Sequence, residues 1–156
     1  MTANEQTQID IVAHLLGIQP RWLENVMWIE SRLNPSAVNK VSGATGLIQF
    51  MPATAKALGT TTDELKKMSF IDQMQYVYLY LKPYANKMQS LVDVYFAVFF
   101  PSAIGKANSF VLQTNKLSAQ LIAQQNPAYD LNKDKQITKG EVAEAINRIL
   151  QKKKSN

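Results

Sequence analysis

Pro20-Arg21-Trp22-Leu23-Glu24-Asn25-Val26-Met27-Trp28-Ile29-Glu30-Ser31-Arg32-Leu33-Asn34-Pro35 begins on one proline and ends on another. Proline suits the first turn of a helix and pushes the residue before it out of helical geometry, so a helix is expected from Pro20 to about Leu33. One residue breaks its amphipathic pattern. At about 100° per residue, Leu23, Val26, Met27 and Leu33 all project within roughly 60° of Glu30, which puts a carboxyl in the middle of the apolar stripe. Arg21 and Arg32 point to the opposite side, and the C-terminal end of a helix dipole disfavours an anion. Desolvation and the dipole both raise the pKa of such a group. A rise of about two units costs the ionised form on the order of 2.7 kcal/mol. Two readings account for that cost: a buried salt bridge or hydrogen bond to a distant helix, or an acid kept protonated near neutral pH to donate a proton.

Outward from this helix the chain reads as helices throughout. Glu5 to Leu16 is amphipathic through Ile9, Val12, Ala13 and Leu16 and is closed by Gly17. Asn39 to Gly46 is a loop, and Pro52 starts a helix ending at Gly59. Thr61 or Thr62 caps a brief turn of helix, and Ser69 with Asp72 forms a capping box for a long helix reaching about Ala85. Ser90 to Phe100 is a strongly apolar helix stopped by Pro101. Further helices are expected near Lys106–Leu112, Ser118–Gln124 and Glu141–Lys153, with a polar loop from Asn126 to Lys139. No β pattern is sustained, so the fold class is all-α, with room for a small hairpin around residues 41–50. The expected division is a domain over residues 1–125 and an appended loop and helix over 126–156.

Composition narrows the chemistry. The 156 residues are 46% hydrophobic and 19% charged, which is a globular balance. With no cysteine, thiolate metal sites and cysteine nucleophiles are excluded. His14 is the single histidine, which excludes His-pair zinc motifs, and it is assigned no role. The net charge of +5, part of it in the Lys152–Lys154 run, favours polyanions in general. No basic stripe interleaved with aromatics accompanies it, so nucleic acid is not expected as a partner. No apolar stretch approaches the ~20 residues needed to span a bilayer, and the first twenty residues do not form a signal peptide.

Of the twelve acidic side chains, most have local explanations. Glu5, Asp63, Glu64, Asp72 and Glu141 belong to helix N-termini. Glu24, Glu144, Asp10 and Asp93 occupy ordinary amphipathic positions. A raised Glu30 suits cleavage of a glycosidic bond, whose leaving oxygen must be protonated. Ordinary glycosidases add a second carboxylate about 5–5.5 or 6.5–9.5 Å away. Residues 36–51 contain no acid at all, so a one-acid mechanism is the economical expectation.

Glu30-Ser31-Arg32-Leu33-Asn34-Pro35-Ser36-Ala37-Val38 and then Gly43-Ala44-Thr45-Gly46-Leu47-Ile48-Gln49-Phe50-Met51-Pro52-Ala53-Thr54-Ala55 closely resemble the soluble lytic transglycosylase family. The resemblance extends over about residues 10–100 and implies a lysozyme-like, goose-type helical fold. It implies that Glu30 protonates the oxygen between N-acetylmuramic acid and N-acetylglucosamine, then acts as base on the muramyl C6 hydroxyl to leave a 1,6-anhydro sugar. By the same resemblance Ser31 orients the acid or substrate, Gln49 hydrogen-bonds sugar amides, and Phe50 and Met51 line the cleft. Gly43 and Gly46 let the loop pass close to the glycan. The family carries an Ala-Tyr-Asn segment on a later helix, its tyrosine bonded to the glutamate. Here that segment corresponds to Val98-Phe99-Phe100-Pro101, so Phe99 stands in the tyrosine's place; Glu30 is then either more apolar in its surroundings or held by another tyrosine such as Tyr95 or Tyr78. This variant segment resembles phage-encoded wall-degrading members. The implied partner is the peptidoglycan glycan strand, met by a monomer in the periplasm or cell wall after delivery by a phage particle, lysis system or secretion apparatus. No cofactor is implied for catalysis. The competing functions are a hydrolytic muramidase on the same scaffold and a non-catalytic wall-binding or calcium-responsive module.

Residues 130–141 also match the ligand positions of an EF-hand loop: Asp130, Asn132, Asp134, the Gln136 carbonyl, Thr138 and Glu141. Lys135 stands where glycine is usual. A calcium ion here and a plain capping box from Thr138 and Glu141 are both compatible with the spacing.

Overall fold

Thr2 opens the first helix by a reciprocal cap. Its hydroxyl accepts from the Glu5 amide at 3.1 Å, and the Glu5 carboxylate accepts from the Thr2 amide at 2.8 Å. The helix that follows is α1 (Ala3–Leu16), closed by Gly17 in the left-handed conformation. The computed structural model describes residues 1–155. Proline at the first turn starts α2 (Pro20–Ser31) and α3 (Pro52–Ala57). Thr61 caps α4 (Thr62–Lys67), and Ser69 caps α5 (Phe70–Leu81) by accepting from the Asp72 amide at 3.1 Å. A 3-10 turn over Lys82–Tyr84 separates α5 from α6 (Leu91–Phe99). Ser118 caps α7 (Ala119–Gln125), and α8 (Lys139–Ser155) ends the described chain.

The fold is all-α, as expected, with no sheet among the described residues. The hairpin anticipated around residues 41–50 reduces to two isolated bridges, Val38 to Thr45 and Thr45 to Phe50. The helix anticipated near Lys106–Leu112 is absent. Phe110 to Leu112 runs extended instead, with the Leu112 amide donating to the Ile137 carbonyl and the Lys139 amide to the Phe110 carbonyl, each at 2.8 Å. Among the described residues, no helix is long and apolar enough to cross a membrane.

The chain divides into two compact units, Met1–Val98 and the remainder from Phe99. This boundary falls well before the expected 125/126 division, because residues 99–112 bond to residues 129–139. Besides the extended pairing, Lys139 Nζ donates to the Ala103 and Lys106 carbonyls at 2.9 Å, and the Phe99 ring meets Tyr129 edge-on at 5.4 Å. In the first unit, α1 packs on α2 and α5 through Ile9, Val12, Leu16, Leu23, Met27, Met74 and Val77, all buried. The second unit gathers Leu112, Ile122, Ile137, Val142 and Ile146.

Candidate functional site

Glu30 is the penultimate residue of α2, on the face where Leu23, Val26 and Met27 are buried. Its carboxyl has no hydrogen bond and no ion pair among the described residues, and burial pushes its pKa up to about 7. The neighbouring cation is committed elsewhere. Arg32 lays its guanidinium 3.9 Å over the Trp28 ring and donates to the Trp28 and Ile29 carbonyls at 2.9 and 3.2 Å. The helix stops two residues earlier than the expected Leu33. Arg32 and Leu33 adopt left-handed conformations with φ of 56° and 62°, so Leu33 leaves the apolar stripe instead of extending it. Two consecutive non-glycine residues in this region carry a strain of about 1–2 kcal/mol each. That strain sits directly behind the acid, as is common at functional sites.

The loop after α2 is tied to the helix end and to α5. Ser31, 8% exposed, shares its hydroxyl proton between the Met27 carbonyl at 3.0 Å and the Leu47 carbonyl at 2.9 Å. Gln73 of α5 is fully buried and clamps three segments. Its Oε1 accepts from the Leu47 amide at 2.6 Å, while Nε2 donates to the Pro35 carbonyl at 2.8 Å and the Leu65 carbonyl at 2.9 Å. Gly46 is buried against this clamp at φ 90°, and a Cβ there would lie 2.5 Å from Gln73 Oε1. The close approach that Gly46 permits is therefore to Gln73.

Gln49, itself left-handed at φ 58°, donates through Nε2 to the Gly46 carbonyl at 3.1 Å and the Ala37 carbonyl at 3.3 Å. Its Oε1 has no partner among the described residues and is available to accept an amide N–H. Gln49, Phe50 and the half-exposed Met51 line a small pocket of about 50 Å³ together with Tyr80. Phe50 is at the same time buried core, meeting Tyr80 edge-on at 6.2 Å.

Tyr80 is the residue that sequence reasoning passed over. Its phenol is pushed above its ordinary value by burial, then by the charges of Tyr84 and Glu30, so it stands within the field of the acid. Its hydroxyl donates to the Ala97 carbonyl at 3.1 Å, with Val98 at 3.4 Å. Tyr78, two residues earlier, lines a groove with Ile11 and Leu15 of α1 instead. Tyr95 is buried against Phe96, and Phe99 belongs to the second unit against Tyr129. Gln73 and Tyr80 lie seven residues apart and so share one face of α5. A glutamine amid Phe70, Met74, Val77 and Leu81 carries the signal that Glu30 carries, without the charge that draws attention to it.

In the second unit, Asp130, Asn132 and Asp134 fold over their own loop. Asp130 Oδ2 accepts from the Lys135 amide at 3.1 Å, Asn132 Oδ1 from the Asp134 amide at 3.2 Å, and Asp134 Oδ1 from the Gln136 amide at 3.0 Å. Glu141 caps α8 with Thr138, which in turn accepts from the Glu141 amide at 3.2 Å. No three acidic or histidine side chains among the described residues are gathered closely enough to hold a metal ion as they stand.

Residues 9–97, more than half of the chain, match the family described as Transglycosylase SLT domain. No curated protein and no solved structure matches the chain.

Proposed function

Because the chain belongs to the transglycosylase SLT family, whose members are peptidoglycan lytic transglycosylases, we propose that it cuts glycan strands without water, using Glu30 as the one acid–base group. The observation that carries this reading is a carboxyl without a partner among the described residues, raised to about 7 by burial. A group with that pKa is protonated often enough at neutral pH to donate, and basic enough afterwards to accept.

In the proposed reaction Glu30 gives its proton to the oxygen between N-acetylmuramic acid and N-acetylglucosamine as the C1–O bond breaks. The resulting carboxylate takes the proton of the muramyl C6 hydroxyl, whose oxygen closes on C1 to form the 1,6-anhydro ring. The nucleophile is intramolecular, so its effective concentration is high. Support for a single acid comes from the origin of the raised pKa. A second carboxylate at glycosidase spacing would add a like charge to the upward push on Glu30, whereas the push on Glu30 comes from burial. Gln49 Oε1 fits the N–H of a sugar acetamido group. The Tyr80 hydroxyl, its proton spent on Ala97, stands within the field of the acid.

Digestion of purified sacculi followed by mass spectrometry tests the reaction. The expected muropeptides end in anhydro sugar, lighter by one water than the hydrolytic product. Hydrated muramyl ends throughout would make the enzyme a hydrolase and end the one-acid reading. Tyr80→Phe tests that placement. Removing the phenol oxygen from the field of the acid should lower kcat about tenfold, the equivalent of about 1.4 kcal/mol, with little change in KM. The same variant should unfold more easily by about 1 kcal/mol, since the Ala97 carbonyl loses its donor. An unchanged kcat in steady-state assays would remove Tyr80 from the site.

A further inference from the structure

Among the described residues, one buried side-chain oxygen has no partner. Asp130 is 8% exposed; its Oδ2 accepts from the Lys135 amide across the loop, while Oδ1, on the same carboxylate, is buried with no hydrogen bond. A buried carboxylate oxygen without a donor is costly, and a cation relieves that cost directly. We propose that the loop over residues 130–141 binds a calcium ion, with Asp130 Oδ1 as its first ligand.

The surroundings fit a hard cation that takes six to eight oxygens. Asn132 and Asp134 already turn their side-chain oxygens onto loop amides, at alternate positions after Asp130. The Gln136 carbonyl and the Thr138 hydroxyl follow at the spacing such loops use. Glu141 Oε2 accepts from the Leu131 amide at 2.8 Å and the Asn132 amide at 3.4 Å, so this carboxylate leans over the start of the loop from the first turn of α8. On binding it exchanges these amides for the ion and closes the site, which explains why three carboxylates are not gathered beforehand.

The sequence objection was Lys135 in place of glycine. In the structure Lys135 adopts the left-handed turn that glycine usually supplies, with φ 66°. The loop also rests on a fixed support, since Ile137 is fully buried and residues 137–139 pair with residues 110–112. Three carboxylates set against Lys133 and Lys135 leave little net negative charge. The affinity therefore falls in the weak class, ~10⁻⁴–10⁻³ M. The proposal stands apart from the chemistry of Glu30.

The test uses the full chain stripped with a chelator, with calcium chloride and terbium chloride as the probes. Calcium at ~10 mM, on the order of ten times Kd or more, should raise Tm by about 3 °C or more. Magnesium at equal concentration should do far less. Terbium luminescence sensitised by Tyr129, which directly precedes Asp130, should rise and be displaced by calcium. Asp130→Asn should abolish both responses. Because that residue is buried, Asp134→Asn at an exposed position is the second variant, expected to weaken binding at least tenfold. Lys135→Gly should tighten it by removing a like charge and backbone strain. No Tm or luminescence response in the unmodified chain, or a full response in both asparagine variants, would overturn the proposal.

Discussion

Glu30→Gln should abolish wall lysis, with a loss on the order of a thousandfold or more, and should at the same time make the protein more stable above neutral pH. An acid held in a structural ion pair would give neither result. In the unfolded chain the carboxyl titrates near 4.5, and in the folded protein near 7. Below pH 4.5 both states hold the proton and the residue costs nothing. As pH rises between the two values the unfolded state sheds its proton first, so stability falls, and the loss levels off above about pH 7. At about 1.4 kcal/mol per pH unit this amounts to about 3 kcal/mol at pH 8. Glutamine cannot ionise and escapes the loss. Urea unfolding of both proteins at pH 4 and pH 8 should therefore show near-equal stability at pH 4 and a gap in favour of the variant at pH 8. A variant less stable at both pH values would mean that Glu30 is held by a partner. Wild-type lysis should decline as pH rises through about 7, as the donor form is lost.

The second large effect is expected at Gln73→Leu. The amide makes three hydrogen bonds, buried to Leu47 and Leu65 and part-buried to Pro35, and leucine satisfies none of them. Orphaning one amide and two carbonyls costs about 1–3 kcal/mol each, so a total of about 3–9 kcal/mol is expected. Against a typical domain stability of about 5–15 kcal/mol, that brings the first unit close to unfolding at 37 °C. Activity should fall further than stability predicts, since the Leu47 segment carries Gln49 into place. Denaturant melts paired with lysis rates at a temperature where the variant is still folded check both parts. A stability change within about 0.5 kcal/mol, the ordinary range for surface substitutions, would show that the clamp is dispensable.

Periodicity was enough to place the helices and to single out Glu30, because both rest on short-range spacing along one element. Proline at position 20 and threonine at position 61 marked helix starts that the structure retains. The failures are non-local. Phe110-Val111-Leu112 is an apolar run compatible with helix or strand, and its extended form is decided by residues 137–139, more than twenty positions away. Gln73 reaches loop residues 26 and 38 positions distant. Tyr80 was hidden among neighbouring tyrosines until the face of α5 was fixed. The end of α2 was misplaced by two residues because two left-handed non-glycine residues are not foreseeable from propensity.

Among the described residues the acid has no counter-ion, and this separates two properties that many enzymes couple. Attraction of a +5 chain to an anionic polymer acts over about 8–10 Å in ordinary salt and fades as ionic strength rises. The proton affinity of Glu30 comes from exclusion of water, which dissolved ions do not screen. Salt can thus slow capture of the substrate while leaving the strength of the acid untouched. Lysines on the surface are free to vary for the sake of encounter without retuning the chemistry.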